Sequence, residues 1–172
     1  ERGIYIGGFF APWLKPFPWL VGTFALCLFP LLAACYLAVE SDGDLREDFR
    51  RRALWAWGAS EIVGIAVWLS ARAHTDYFGA RLTGAPWSLW LRIGTGAVAA
   101  AAVYALVSRR VVLARTLIVL QVSLIVVGYG LAQFPYLIVG RYTIRDAAAP
   151  LVIHQLLLGA LAVGALILLP SF

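Results

Sequence analysis

FPWLVGTFALCLFPLLAACYLAV, residues 17 to 39, contains no charged side chain in its twenty-three positions. As a helix rising about 1.5 Å per residue it reaches roughly 34 Å, enough to cross a hydrocarbon core about 30 Å thick. Proline at position 30 is expected to kink or widen that helix, because it removes one backbone hydrogen bond. Four more apolar runs of similar length follow, at 53–71, 88–107, 111–134 and 151–169. The expected fold is therefore all-α, a polytopic transmembrane bundle of five spans forming one helical domain over residues 1–172. Strand-like alternation, an internal repeat and a low-complexity linker are all missing from the pattern.

Composition agrees with this reading. Of the 172 residues 62% are hydrophobic and 13% charged, where a soluble domain carries about a quarter charged. Many of the seven Trp and seven Tyr stand near span ends, where amphipathic rings suit the headgroup level. The net charge of +5 comes mostly from arginines bordering spans. Topology and lipid phosphate account for these arginines, and no basic stretch interleaved with aromatics suggests nucleic acid. Cys27 and Cys35 lie on one helix about 12 Å apart, too far for a disulfide. The chain has no initiator Met and no secretory-signal pattern and opens on ERGIYIGGFF, so it reads as a piece of a longer polypeptide.

An odd number of spans puts residues 1–16, 72–87 and 135–150 on one side, and 40–52, 108–110 and the C-terminus on the other. Each side receives seven of the fourteen Lys and Arg, so the positive-inside count is a tie. The dense Arg50–Arg51–Arg52 and Arg109–Arg110 clusters favour the second side as cytoplasmic. In SDGDLREDFRRRALWAW (41–57), Asp44 is expected to cap the second helix with Glu47 completing a capping box, and the three arginines to meet the phosphate layer. GTGAVAAAA (94–102), and Ala160 with Gly164 beside Gly159, offer small surfaces for close helix packing.

Glu61 is the sharpest polar feature, near the middle of the second span, where an unpaired carboxylate costs at least a few kcal/mol. It reads as a proton relay or an ion-pair partner, or else as a protonated acid hydrogen-bonded in the bundle. Arg92 lies about one turn inside the third span, roughly 9 Å in axial offset from Glu61. It can pair with Glu61 if the helices are neighbours, or snorkel to the interface as Arg115 is expected to do. Gln121 is placed to bond across helices. His154 reads as an interfacial hydrogen-bonder rather than a haem ligand, and His74 with Asp76 as loop residues without a third metal ligand.

GYGLAQFPYLIVGRYTIRDAAAP (128–150) ends the fourth span. Gly128 and Gly130 allow tight packing, Pro135 ends the helix between aromatic anchors, and Thr143 or Asp146 starts a polar turn. With GGFFAPWLKPFPWLVG (7–22), YLAVESDGDLREDFRRRAL (36–54) and the closing LLPSF, this layout resembles subunit II of the cytochrome bd-type quinol oxidases, the cyanide-insensitive branch included. The resemblance runs along nearly the whole chain. It implies a non-haem integral membrane subunit of a respiratory terminal oxidase, with no catalytic residues or cofactor of its own. The b- and d-type haems and the quinol-oxidising loop would sit on a partner subunit I, with a quinone or lipid held structurally in contact with membrane lipid. It also implies a bacterial inner-membrane location, a periplasmic N-terminus, and a cytoplasmic 40–52 loop and C-terminus. The family's N-terminal spans, including its proton-path acids, and its basic C-terminal tail have no counterpart here. None of the family's proton-channel residues carries over, and Glu61 is a candidate on its own account. The competing readings are a small transporter or channel subunit using Glu61 and Arg92, or a scaffold that kept the fold.

Overall fold

The computed structural model describes residues 14–168, without the side chains of His74 and Asp76. The start of the GGFFAPW motif, the closing LLPSF beyond residue 168, and the ligand roles weighed for His74 and Asp76 lie outside the described part. Six helices and one small hairpin occur in the order α1 (Pro16–Glu40), α2 (Gly43–His74), α3 (Asp76–Gly84), α4 (Pro86–Val107), α5 (Val111–Gln133), β1 (Tyr136–Ile138), β2 (Tyr142–Thr143) and α6 (Leu151–Leu168). All but α3 are long and apolar enough to cross a membrane. The chain divides into two compact units, residues 1–132 and 133–172.

In the first unit α1 packs along α2, α2 also meets α3 and α4, and α3 meets α4. The core is built from the second half of α1 (Leu31, Ala34, Cys35), Ala53 of α2, the end of α4 (Ala102, Ala105, Leu106) and the start of α5 (Ala114, Ile118). It therefore lies toward the 40–52 and 108–110 connections. Nine of the thirteen buried apolar residues are alanine. Lipid provides no hydrophobic drive between helices, so contact depends on small side chains that let backbones approach. Large apolar side chains such as Ile62, Trp90 and Val126 face outward instead. Of the small surfaces foreseen on α4, Ala99 and Ala102 are buried, whereas a Cβ added at Gly94 or Gly96 would meet nothing within 4 Å.

α1 runs through Pro30 without a break, with proline tolerated inside the helix. α2 is 32 residues long, about 48 Å at helical rise, against a core of about 30 Å. It exceeds that core by about 18 Å, and its charged residues are concentrated in the first ten positions, 43–52. The expected capping box is corrected here. The helix starts two residues earlier, at Gly43, with Asp42 in the cap position and no side-chain capping bond. The turn is made by Gly43 at φ +56°, a left-handed value glycine adopts without steric cost. Asp42 and Glu47 pair with arginines instead, Asp42 to Arg46 at 2.7 Å and Glu47 to Arg50 at 2.6 Å.

The 72–87 connection, read as a loop, holds the nine-residue helix α3. Its cause is Thr75, which ends α2 and caps α3 together. The Thr75 hydroxyl donates to Ala71 O at 2.5 Å and accepts the Gly79 N–H at 3.1 Å. The same amide also donates to Thr75 O at 2.9 Å, so the hydroxyl reinforces the first backbone bond of α3. Phe78 of α3 then stacks near Phe17, at 6.2 Å between ring centroids, and near Tyr129 of α5, at 5.3 Å.

Those contacts explain half of GYG. Tyr129 meets α3, and a Cβ on Gly128 would stand 2.7 Å from Leu91 Cδ2 of α4, while one on Gly130 would meet nothing within 4 Å. Gly128 alone is required for close approach. Because the obstacle is the tip of a flexible leucine, Gly128→Ala is expected to cost no more than about 1 kcal/mol. Thermal unfolding beside a Gly130→Ala control checks this, and equal midpoints within error would deny the tight contact.

The second unit contains the hairpin, where β1 and β2 pair antiparallel with Tyr136 opposite Thr143 and Gly140 turns at φ +74°. Strands of three and two residues are too short to show alternation, which is why the sequence pattern did not reveal them. The expected polar turn uses both candidates: the Thr143 amide and hydroxyl donate to Asp146 Oδ2 at 3.0 and 2.7 Å. These donors hold the Asp146 carboxyl below its ordinary pKa. α6 follows Pro150, and none of its residues is buried.

Candidate functional site

The inward face of α2 runs through Ala53, Trp57, Glu61, Gly64, Trp68 and Ala71 at a spacing of three and four residues, with Ser60 beside Glu61; Ala53, Ser60 and Ala71 are buried and the others partly so. A Cβ on Gly64 would lie 3.1 Å from the Phe24 ring, so α1 comes close there. Three residues before Gly64, Glu61 turns to α5. Gln121 Nε2 donates to Glu61 Oε1 at 2.5 Å, and Gln121 is only 3% exposed. A carboxyl and a primary amide thus bond across two helices at mid-span, where an unsatisfied polar group is most expensive.

Arg92 is placed elsewhere. Its Nε donates to Ser88 O at 3.2 Å and its Nη2 to Thr83 O at 3.5 Å, so the guanidinium reaches toward the start of α4 and the end of α3. Neither bond involves Glu61. Arg115 lies 3.5 Å from Glu40 and 5.2 Å over the Tyr36 ring, tying α5 to α1 at the core end. His154 Nδ1 is 3.4 Å from the carbonyl of Pro150, the residue just before α6. Cys27 and Cys35 are free thiols. Among the described residues, no group of three His, Cys, Asp or Glu is arranged to hold a metal ion.

Arg50 has a different place from the one expected of the arginine triplet. Its side chain is 12% exposed. Nε and Nη2 grip Glu47 at 2.9 and 2.6 Å, and Nη1 donates to Leu106 O at 2.8 Å. The charge therefore sits at the C-terminal end of α4, where carbonyls lack intrahelical partners and the helix dipole is negative. Glu47 also faces Arg51 at 3.3 Å and Arg109 at 3.7 Å, which joins the 40–52 segment to the 108–110 turn. In these charged turns of α2, ahead of the 53–71 run, the Arg50 hydrogen bonds hold the Glu47 carboxyl well below the usual carboxylate range. The signal was in the spacing. Extending the 53–57–61 face back by three residues reaches Arg50 and leaves Arg51 and Arg52 on the outside.

Residues 2–172 match the family model for subunit II of the cytochrome bd terminal oxidases. No curated protein matches, and no solved structure does.

Proposed function

This chain belongs to the family of cytochrome bd terminal oxidase subunit II, a membrane subunit of a respiratory oxidoreductase, and on that premise we propose that it serves as the non-haem subunit of a quinol:oxygen oxidoreductase. The observation that carries the proposal is the extent of the family match, residues 2–172, together with five helices able to cross a membrane. In this reading quinol is oxidised and oxygen reduced to water on a haem-bearing subunit I. The present chain packs against that subunit and contributes no catalytic residue. In the same reading the b- and d-type haems are carried by the partner, as the family implies, and a quinone or lipid bound to this chain would be structural.

The arginine end, with Arg50, Arg51, Arg52, Arg109 and Arg110, faces the cytoplasm of a bacterial inner membrane in this proposal, and the α3 end faces the periplasm. The first test is a reduced-minus-oxidised visible spectrum of the tagged full-length protein purified from native membranes. A d-type haem band that travels with the tag is the expected result. A well-behaved complex with a flat spectrum would remove the oxidase assignment and return the transporter reading.

Glu61 is the proton-relay candidate within that complex. Glu61→Gln keeps a partner for Gln121 and removes the ionisable group. We expect normal assembly and haem content with quinol-driven oxygen uptake slowed about a hundredfold, the lower end of what a positioned proton-transfer group contributes. Unchanged uptake would make Glu61 a packing residue. Arg92, bonded to Ser88 and Thr83 carbonyls, is proposed as an interfacial anchor.

A further inference from the structure

Beside the Glu61–Gln121 bond, two polar atoms have no protein partner. The Trp57 indole Nε1 is a buried donor and Gln121 Oε1 a buried acceptor, and neither makes a hydrogen bond. Trp57 stands four residues before Glu61 on one face of α2, and it packs against the core cluster that includes Ile118. Ile118 in turn stands three residues before Gln121 on α5, and both helices run the same way across the unit. The Trp57 backbone is therefore about one turn from that of Glu61 along α2, on the side of the helix that carries the bonded pair. Ser60, on that face too, spends its hydroxyl on Trp57 O at 2.8 Å and satisfies neither atom.

A donor and an acceptor left over in this way are complementary to a molecule that both accepts and donates. Buried waters in proteins have about three such partners and sit where protein groups are otherwise unsatisfied. Glu61, whose Oε1 takes the Gln121 amide, offers a second oxygen as the third partner.

We propose that the α2–α5 interface binds an internal water that accepts the Trp57 indole N–H, donates to the Gln121 side-chain carbonyl and hydrates the Glu61 carboxyl. The site is hydrated at mid-membrane although its surroundings toward the arginine end, Ala53, Leu106, Ala114 and Ile118, are apolar. Water at Glu61 gives a proton somewhere to go, so this inference deepens the relay proposed for that residue. The site itself rests on hydrogen-bonding geometry and not on the oxidase assignment.

X-ray radiolytic footprinting of the whole complex in lipid nanodiscs tests it, because hydroxyl radicals generated from a bound water modify the side chain beside it. Trp57 is expected to be modified in the wild type, and its modification rate to fall at least about tenfold in Gln121→Leu, the factor lost with roughly one hydrogen bond. Trp68, two turns beyond Glu61, serves as a comparator whose rate stays level. If Trp57 is unmodified in the wild type, or modified equally in Gln121→Leu, the interface holds no water between the indole and the amide, which overturns the proposal. The wild-type measurement decides the matter even where Gln121→Leu fails to assemble. The readout is hydration and not turnover, so a negative result leaves the haem spectrum and the oxidase reading untouched.

Discussion

Arg50→Ala is expected to destabilise the protein by about 2 kcal/mol, the middle of the range for a hydrogen bond with one charged partner. For a chain of this size that corresponds to a thermal midpoint lower by about 4–8 °C. The reasoning is local. Arg50 donates to the Leu106 carbonyl in the last turn of α4, and its side chain is almost enclosed. Removing it takes the charged partner from Leu106 O, which keeps the Arg109 amide at 3.3 Å, and leaves Glu47 with the longer contacts to Arg51 and Arg109. Arg52→Ala is the matched control. It has the same charge change, but the side chain is 67% exposed and pairs one turn away with Asp48, so a shift near zero is expected. Arg50→Lys should fall between, since a point charge cannot reproduce a fork that reaches Glu47 and Leu106 together. Midpoints measured on the purified complex decide it. Equal shifts for Arg50→Ala and Arg52→Ala would return Arg50 to the phosphate layer with its neighbours.

Gly79→Ala carries a comparable penalty of about 2 kcal/mol, within the range for overpacking a close contact. An added Cβ would stand 2.5 Å from Ala71 O and 3.1 Å from Arg72 Cα. These are backbone atoms, and they cannot turn aside as Leu91 can at Gly128. Ala71 O is also engaged, accepting from the Thr75 amide at 3.1 Å and from the Thr75 hydroxyl. The methyl must therefore push α3 off the end of α2 or break the corner. Gly84→Ala, at the far end of the same short helix with nothing within 4 Å, should change the midpoint by about half a kcal/mol or less. A Gly79→Ala protein as stable as Gly84→Ala would show that α3 does not sit tightly on α2.

Much of the architecture was legible before any coordinates. The runs at 17–39, 88–107 and 111–134 end within two residues of α1, α4 and α5, because a span must be both long and uncharged and few sequences satisfy that by accident. The segment between 72 and 87 was not legible. Its helix depends on Thr75 serving two helices at once and on a glycine that tolerates the Ala71 carbonyl, and neither shows as apolar periodicity. The triplet at 50–52 looked uniform for a similar reason, since charge alone does not say which side of a helix it is on.

The sequence by itself determined that this protein crosses a membrane with five helices and that Glu61 lies at the middle of one of them. Hydrophobic length and the cost of a buried carboxyl depend only on composition along the chain. Tertiary structure alone decided that Glu61 meets Gln121 and not Arg92, that Arg50 closes the end of α4, and which glycine of GYG bears a contact. Those outcomes depend on which helix faces stand opposite each other. In a lipid-facing bundle that choice is made by small residues and pairwise hydrogen bonds between distant segments, which no single segment encodes.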